Sequence, residues 1–299
     1  MLAVALSESE VRYISWERIE EEIRLKACQV ITWEERLDGF GNLIRIKDYL
    51  RQIIADTDTD HKIIFMTMDV RMCNYRLQQI DPAWDAVEQL DFLSNQRYGQ
   101  TTVFDSFHYE LRHIPGQVFT IECPHDLRIG LSELLKEDET ASLLSMGIFA
   151  AYNYACKVVP NIDTGHRIIW RASSRGAQQL LEIDSGEFVA LHISSRNGDG
   201  SLGLQTYGAG LPEGQIIEFL NSAVKNEQPD LEGIDGIYTY FGSGSHEFME
   251  LILSGESDNI SLLNPFWRWN WPDVPGADNK YAQSAFTELA EAIWLDEHV

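Results

Sequence analysis

The stretch most suggestive of chemistry is GIYTYFGSGSHEF, residues 236–248. Its apolar first half predicts a strand, Gly242 and Gly244 predict a tight turn, and a helix is expected from residue 246 onwards. Proteins use a strand, a glycine turn and a helix N-terminus to place backbone amides against the phosphates of a nucleotide. The pattern therefore suggests a nucleotide site, and a plain strand-to-helix turn is the alternative.

A second unusual stretch is FWRWNWP, in which Trp267, Trp269 and Trp271 alternate with polar residues. Such a pattern is typical of a strand with one face on a core, or of an exposed aromatic anchor for a partner. At least one of these tryptophans is expected in the core. Because three indole rings are difficult to bury in so short a segment, we also predict a partner-binding surface here.

The composition indicates a folded and strongly acidic protein. The chain has 299 residues, of which 44% are hydrophobic and 11% aromatic, which is sufficient for one or two cores. It carries 47 Asp and Glu against 23 Lys and Arg, a formal net charge of -24. A field of this sign repels nucleic acid and anionic lipid headgroups, so neither nucleic-acid binding nor direct membrane insertion is expected.

The cysteines and the N-terminus indicate the compartment. The four cysteines are scattered and form no metal-ligand spacing with each other or with histidine, so reduced thiols and no metal site are expected. The N-terminus lacks the basic and apolar regions of a signal peptide, and no stretch of about 18 apolar residues exists. We predict a soluble, cytoplasmic protein.

The elements that must position these motifs follow one plan in the first half. Three strands at residues 2–6, 11–16 and 25–32 precede a helix whose apolar residues, from Leu43 to Ile53, are three or four apart. The apolar strand KIIFMTM, residues 62–68, comes next. A less regular part follows, and it comprises a helix at 84–93, strands at 107–114 and 118–123, and helices at 125–136 and 139–155.

The second half repeats this plan. Its predicted elements are strands at 178–183, 188–194 and 201–207, a helix at 212–225, a strand at 236–241, a helix at 246–253, a short strand at 260–263 and a closing helix at 281–295. Each half therefore reads βββαβα. We predict a two-lobed α/β fold with residues 1–157 as the first lobe, an inserted subdomain at about 69–116, and residues 158–299 as the second lobe.

This order of elements resembles the superfamily of actin, the sugar kinases and the heat-shock chaperone ATPases, which have a ribonuclease H-like fold. More narrowly, the chain is similar to the actin-like assembly proteins of type IV pili and type II secretion, the PilM-like proteins. Their segment between the lobes resembles FTIECPHDLRIGLSELLK, and their end resembles Asn264-Pro265-Phe266 followed by a last helix.

The resemblance implies a set of cofactor-contacting residues in three turns. The turn after the first strand matches the phosphate hairpin of the superfamily, LLEIDSGEFVALHIS matches its second hairpin, and the glycine turn matches the adenosine-contacting element. The residues so implied are Ser7, Ser9, Asp184, Ser185, Gly186, Gly242, Ser243 and Gly244.

The first turn departs from the superfamily pattern. It lacks the expected Asp and Gly and carries Glu8 and Glu10 where phosphate oxygens would lie. Two negative charges ~4 Å apart repel by about 4 kcal/mol at an effective dielectric constant of about 20. Because no Lys or Arg lies in the three turns, catalysis of phosphoryl transfer is not expected. The cofactor prediction is therefore none, or weak binding of ATP and Mg²⁺.

The functional hypothesis is an actin-like adaptor that works by protein contact. The resemblance implies a cytoplasmic protein peripheral to the inner membrane, which binds the cytoplasmic tail of a membrane-anchored assembly protein in a cleft of its first lobe. One alternative is an ATPase or small-molecule kinase of the same superfamily. Another is a structural scaffold that associates with itself and binds no nucleotide.

Overall fold

The computed structural model describes most of the chain. The described residues are 1–7, 10–20, 22–32, 43–57, 63–69, 72–81, 83–99, 104–111, 114–135, 143–173, 177–196, 201–225, 231–242, 250, 254, 259–266 and 274–298.

The first half forms β1 to β8 and α1 to α4. In chain order these are β1 (Leu2–Leu6), β2 (Glu10–Ile19), β3 (Glu22–Thr32), α1 (Leu43–Asp56), β4 (Phe65–Met68), β5 (Asn74–Gln79), α2 (Ala86–Tyr98), β6 (Phe104–Glu110), β7 (Gln117–Pro124), α3 (His125–Ser132), β8 (Leu143–Met146) and α4 (Gly147–Val158).

The second half forms β9 to β14 and α5 to α7. In chain order these are β9 (His166–Ala172), β10 (Gln178–Asp184), β11 (Glu187–Arg196), β12 (Leu202–Gly208), α5 (Glu213–Lys225), β13 (Gly236–Phe241), β14 (Ile260–Leu262), α6 (Lys280–Ser284), a 3₁₀ turn (Thr287–Leu289) and α7 (Ala290–His298).

The two lobes have matching sheets. The first sheet has the strand order β3-β2-β1-β4-β8, and the second has β12-β11-β10-β9-β13-β14. In both, an antiparallel meander is followed by two parallel strands, with β12 as an additional edge strand in the second lobe. The central strand β1 is apolar and fully buried, as expected for a strand covered on both faces. The two-lobed α/β prediction is confirmed.

A third sheet is inserted between β4 and β8 of the first lobe. It has the strand order β5-β7-β6, and α2 connects β5 to β6. The described insertion begins with β5 at Asn74 and ends at Pro124, whereas the sequence predicted an inserted subdomain at about 69–116. β7 is its buried central strand, and β6 is an exposed edge strand.

The last helices do not pack where the predicted lobe boundary puts them. Phe286 and Leu289 are buried in one cluster with Ala3 and Ile14 of the first sheet. The 3₁₀ turn and α7 therefore pack on the first lobe, although residues 158–299 were predicted to form the second, whereas α6 contacts β13 of the second lobe. Between the lobes, α4 packs on both sheets and shares a core with β1 and β9.

Several predicted elements need correction. β9 was not predicted, so residues 178–183, which were predicted as the first strand of the second half, lie in its second strand, β10. β5 was also missed. The helix predicted at 139–155 is a short strand, β8, followed by α4, because an apolar run does not by itself distinguish strand from helix. The closing helix is divided into α6 and α7. The helix predicted at 246–253 lies outside the described residues.

Candidate functional site

The predicted cofactor residues do not converge on one site. Asp184 pairs with His166 at the start of β9, whereas the Gly242 amide donates to Ala172 O at the end of β9, at 3.1 Å. A strand of seven residues spans about 20 Å. The sequence-based grouping of Asp184, Ser185 and Gly186 with Gly242 is therefore corrected, because the two sets lie at opposite ends of β9.

The turn at Asp184 has the features of an ordinary hairpin. Ser185 and Gly186 have φ values of 52° and 79°, as a two-residue turn requires, and Ser185 Oγ donates to Asp184 Oδ1 at 3.0 Å. These residues connect β10 to β11. Their described contacts are those of a turn.

The first predicted turn is partly described. The Ser7 amide donates to Glu10 O at 2.9 Å, and Ser7 Oγ also reaches that carbonyl at 3.2 Å, so this residue closes the hairpin between β1 and β2. The remaining predicted contacts lie outside the described residues; they are Ser9, Ser243, Gly244, Trp267, Trp269 and Trp271.

A buried polar cluster joins the lobes at the ends of β1, β4, β9 and β13. We call it the junction, and it comprises Glu10, Arg12, Asp69, Arg171, Gln179, Tyr240 and Glu288. Arg171, on β9 of the second lobe, forms an ion pair with Asp69, which directly follows β4 of the first lobe. Gln179 Nε2 donates to the other carboxylate oxygen of Asp69 at 3.2 Å. Both oxygens of Asp69 are thus bonded across the lobes.

Glu288 lies at the centre of the junction. Its Oε1 accepts from Tyr240 OH at 2.9 Å and lies 3.0 Å from Arg171 Nε, while its Oε2 lies 2.7 Å from Arg12 Nη2. A Cβ added to Gly147, the first residue of α4, would lie 2.6 Å from this carboxylate. Glycine at this position therefore lets the carboxylate approach the N-terminus of α4, where the helix dipole favours a negative charge.

The junction raises the pKa of two of its members, Arg171 and Tyr240. Burial lowers the pKa of Arg171, but Asp69 and Glu288 more than offset that effect and keep it above its ordinary value. Burial and the neighbouring Glu288 raise the pKa of Tyr240, so its hydroxyl stays a hydrogen-bond donor. Glu10, which is 3.3 Å from Arg12, completes a set of two arginines and three carboxylates.

The described junction does not fit Mg-ATP. The resemblance puts phosphate and metal at this end of the two sheets, beside the β1–β2 turn and Gly242. There, the carboxylate of Asp69 and the guanidinium groups of Arg12 and Arg171 are already bonded to protein partners. Phosphoryl transfer needs a held metal ion and positive charge directed at the transferred group. The side chains that would supply both are bonded to each other.

A groove opens in the first lobe, and one of its lining residues, Met68, directly precedes Asp69 of the junction. It has a volume of about 300 Å³ and runs between β6, β7 and α3 on one side and β8 and α4 on the other. We call it the first-lobe groove. Its lining residues are Met68, Cys73, Phe107, Tyr109, Ile121, Cys123, Arg128, Ser132, Leu135, Ser145, Met146 and Phe149.

The first-lobe groove is apolar with a polar rim. Tyr109 stacks on Phe149 with ring centroids 5.7 Å apart, and half of Phe107 is exposed. At the rim, Arg128 Nε donates to Asp105 Oδ2 at 2.6 Å, and His125 Nδ1 lies 3.0 Å from the same oxygen. In the described part of the chain, no strand pairs with the outer edge of β6.

The sequence offered few signals for either region. Arg171 lies in the apolar run HRIIWRA, where a charged residue inside a buried strand requires a partner. Asp69 directly follows a predicted strand, and Glu288 lies among Leu, Ala and Ile. These charges could have been flagged from the sequence, but their mutual contacts could not.

Comparisons with known proteins support the fold. No family model matches the chain, and no curated protein matches it. Among solved structures, a chain of the PilM–PilN type IV pilus biogenesis complex has 12% identity over 98% of this chain and 98% of its own, with a TM-score of 0.56. A Bacteroides thetaiotaomicron protein with an actin-like ATPase fold has 10% identity over 98% and 95%, with a TM-score of 0.44. The chain has an actin-like fold.

Two other features are absent from the described residues. No helix there combines the length and apolar character needed to cross a bilayer. Within the same residues, His, Cys, Asp and Glu form no group of three arranged to hold a metal ion.

Proposed function

We propose that this protein is an actin-like adaptor that binds the cytoplasmic tail of a membrane-anchored assembly protein in its first-lobe groove and performs no phosphoryl transfer. The observation that carries the proposal is the groove itself, an open apolar channel lined by β6, whose outer edge pairs with no strand in the described part of the chain. The junction supports the second half of the proposal.

The chemistry of the first-lobe groove suits an extended peptide. Its exposed aromatic residues, Phe107 and Tyr109, offer apolar contact, and the ion pair of Arg128 with Asp105 makes the rim polar. The edge of β6 presents backbone donors and acceptors to which a peptide strand adds. An extended segment with two or three apolar side chains would bind both features at once.

The junction favours a scaffold over an enzyme. In an enzyme of this superfamily, the lobes close on a nucleotide between them, and the phosphates link the two sides. Here Arg171 links the lobes directly, through Asp69 on one side and Glu288 on the other. The protein's own carboxylates take the role of the phosphates, and the lobes are held together without a ligand.

The likeness to a chain of the PilM–PilN complex supports the nature of the partner. A tail that emerges at the cytoplasmic face of a membrane commonly carries Lys and Arg. The net charge of -24 would attract such a tail and accelerate its association. In this proposal the protein works in the cytoplasm, beneath an inner-membrane assembly, and reaches the membrane through its partner.

The test is photo-crosslinking from single positions in cells of the native organism. A photoreactive phenylalanine analogue is introduced at Phe107, which lines the groove, or at Phe92, which is equally exposed on α2 but does not line it. Crosslinked peptides are then identified by mass spectrometry. We expect the Phe107 position to capture the cytoplasmic tail of a single-span membrane protein and the Phe92 position not to do so.

Two results would contradict this proposal. One is equal capture of the same tail from both positions, which would show that the tail does not bind specifically in the groove. The other is a groove position that captures no membrane-protein tail while the variant remains folded and expressed.

A further inference from the structure

A second open cavity lies at the other edge of the inserted sheet, beside β5. It has a volume of about 360 Å³ and separates β5 and α2 from β12 of the second lobe. Its lining residues are Tyr75, Arg76, Leu77, Arg97, Thr206 and Tyr207. The cavity is large enough for a small organic molecule, and it shares no lining residue with the first-lobe groove.

Two arginines at this cavity share one buried carboxylate. Glu122, on β7, is 1% exposed, and it accepts from Arg76 Nε at 3.0 Å, from Arg97 Nη1 at 2.8 Å and from Tyr98 OH at 2.8 Å. Arg76 Nη2 also donates to that hydroxyl, at 3.1 Å. The carboxylate and the phenol therefore fix both guanidinium groups in place.

The arrangement has more positive charge than the carboxylate needs. One arginine neutralises Glu122, so the second leaves a charge of +1 at the cavity. The side chains of Arg76 and Arg97 are 38% and 33% exposed, so this charge faces the opening. In a chain with twice as many acidic as basic residues, a pair of fixed and partly exposed arginines is a local exception.

Donors remain for a ligand. Of the five N–H groups of Arg76, the described residues use those at Nε and one at Nη2, and no described residue accepts from Nη1. Arg97 donates from Nη1 and Nη2, the latter to Gln78 Oε1 at 3.4 Å, and its Nε has no described acceptor. Guanidinium groups held in this way bind planar or tetrahedral oxyanions with directed hydrogen bonds.

We propose that this cavity, which we call the arginine cavity, binds a small molecule that carries a phosphate or carboxylate group. The oxyanion lies between Arg76 and Arg97, and the rest of the molecule contacts Leu77 and the ring of Tyr207. Since β12 forms the opposite wall, the bound molecule bridges the inserted sheet and the second lobe. This site is separate from the proposed tail-binding groove.

The test is isothermal titration calorimetry at low and constant ionic strength, with inorganic phosphate in one arm and malonate in the other. We expect saturable binding in the millimolar range or tighter in at least one arm, and the stronger arm identifies the preferred oxyanion. Arg97→Gln leaves the pair between Arg76 and Glu122 and should weaken binding by about tenfold or more.

A matched control separates the site from the overall field of the protein. Arg51→Gln removes the same charge from an exposed pair with Asp48 and should leave the affinity unchanged. Arg76→Lys keeps the positive charge but removes the planar guanidinium donors, so this variant should fold normally and lose part of its affinity for the oxyanion. Wild-type protein that binds neither probe, or an Arg97→Gln variant with unaltered affinity, would overturn the proposal.

Discussion

The junction and the first-lobe groove lie in one protein but have opposite character. In the junction, buried arginines and carboxylates form ion pairs with each other across the lobes. In the groove, aromatic side chains remain exposed beside β6, whose outer edge pairs with no described strand. In our proposal, the junction takes the place of a nucleotide site, and the inserted sheet contributes the binding surface.

This contrast suggests that different parts of the molecule hold the fold together and bind the partner. Two sheets joined at their strand ends need something to hold the lobes together, and a bound nucleotide or a set of internal ion pairs can serve. We propose that the chain's own ion pairs hold the two lobes together here without a nucleotide. Variation in the inserted sheet can then determine what the protein binds.

The largest expected effect tests whether the junction holds the lobes. Arg171→Met would leave Asp69 and Glu288 buried without their shared cation, and breaking a buried pair in this way costs about 3–5 kcal/mol. Urea unfolding measures the change in the free energy of unfolding. Arg51→Met, which removes an exposed pair with Asp48, is the control and should change it by less than about 1 kcal/mol. If Arg171→Met lowered the free energy of unfolding by equally little, Arg171 would not stabilise the contact between the lobes.

The second lobe contains another buried carboxylate, Glu182, whose bonded charge can be compared with those of the junction. Glu182 lies 3.0 Å from His192 Nε2 and 2.6 Å from His166 Nε2, and it accepts from the Leu211 amide at 2.9 Å. Burial alone would raise the pKa of Glu182, but these hydrogen bonds outweigh it and lower the pKa below its ordinary value of 4.5. Glu182 thus favours the folded state above pH 4.5, and that contribution is lost as the pH falls through the lower folded-state pKa.

The corresponding measurement is the stability of Glu182→Gln as a function of pH. At neutral pH we expect a loss of about 2 kcal/mol, because hydrogen bonds to an ionised group are replaced by weaker ones. The difference from wild type should shrink as the pH falls below 4.5. Glu218→Gln, at an exposed position of α5, serves as the control. A difference that stays constant down to low pH would show that the ionised carboxylate is not the source.

The smallest expected change in stability is in the first-lobe groove. Because Phe107 is 50% exposed, Phe107→Ala should alter the free energy of unfolding by about 0.5 kcal/mol or less. The same change should weaken binding of the captured tail peptide by about tenfold, as for a central aromatic contact. Fluorescence anisotropy with a labelled peptide measures this, with Phe92→Ala as the control. If Phe107→Ala greatly lowered the stability and left the affinity for the peptide unchanged, Phe107 would serve the fold and not binding, which would contradict the role given to the groove.

Much of the fold could be predicted from the sequence where the periodicity was strong. The apolar stripe of α1 buries Ile46, Leu50 and Ile53 as expected, and the predicted bounds of β13 match those observed. The run HRIIWRA was missed because Arg167 and Arg171 interrupt its apolar character. That omission displaced the second predicted hairpin by one strand, and with it the predicted position of Asp184.

The candidate sites were less predictable, for a physical reason. Arg171 and Asp69 are 102 residues apart in the chain, and their contact exists only after both sheets have formed and met. The first-lobe groove likewise depends on β6 and α4, which belong to different layers. Residue types at local spacings indicate elements and turns, whereas charges brought together from distant strands require the assembled fold.

The most direct test of the account is thermal unfolding of the purified protein with and without millimolar Mg-ATP. A ligand that binds only the folded state raises its stability by RT ln(1 + [L]/Kd), so even weak binding becomes visible. The account predicts an unchanged unfolding temperature, because the carboxylates of Asp69 and Glu288 already hold the arginines at the junction. A clear upward shift that depends on Mg²⁺ would contradict it and restore a nucleotide-binding role.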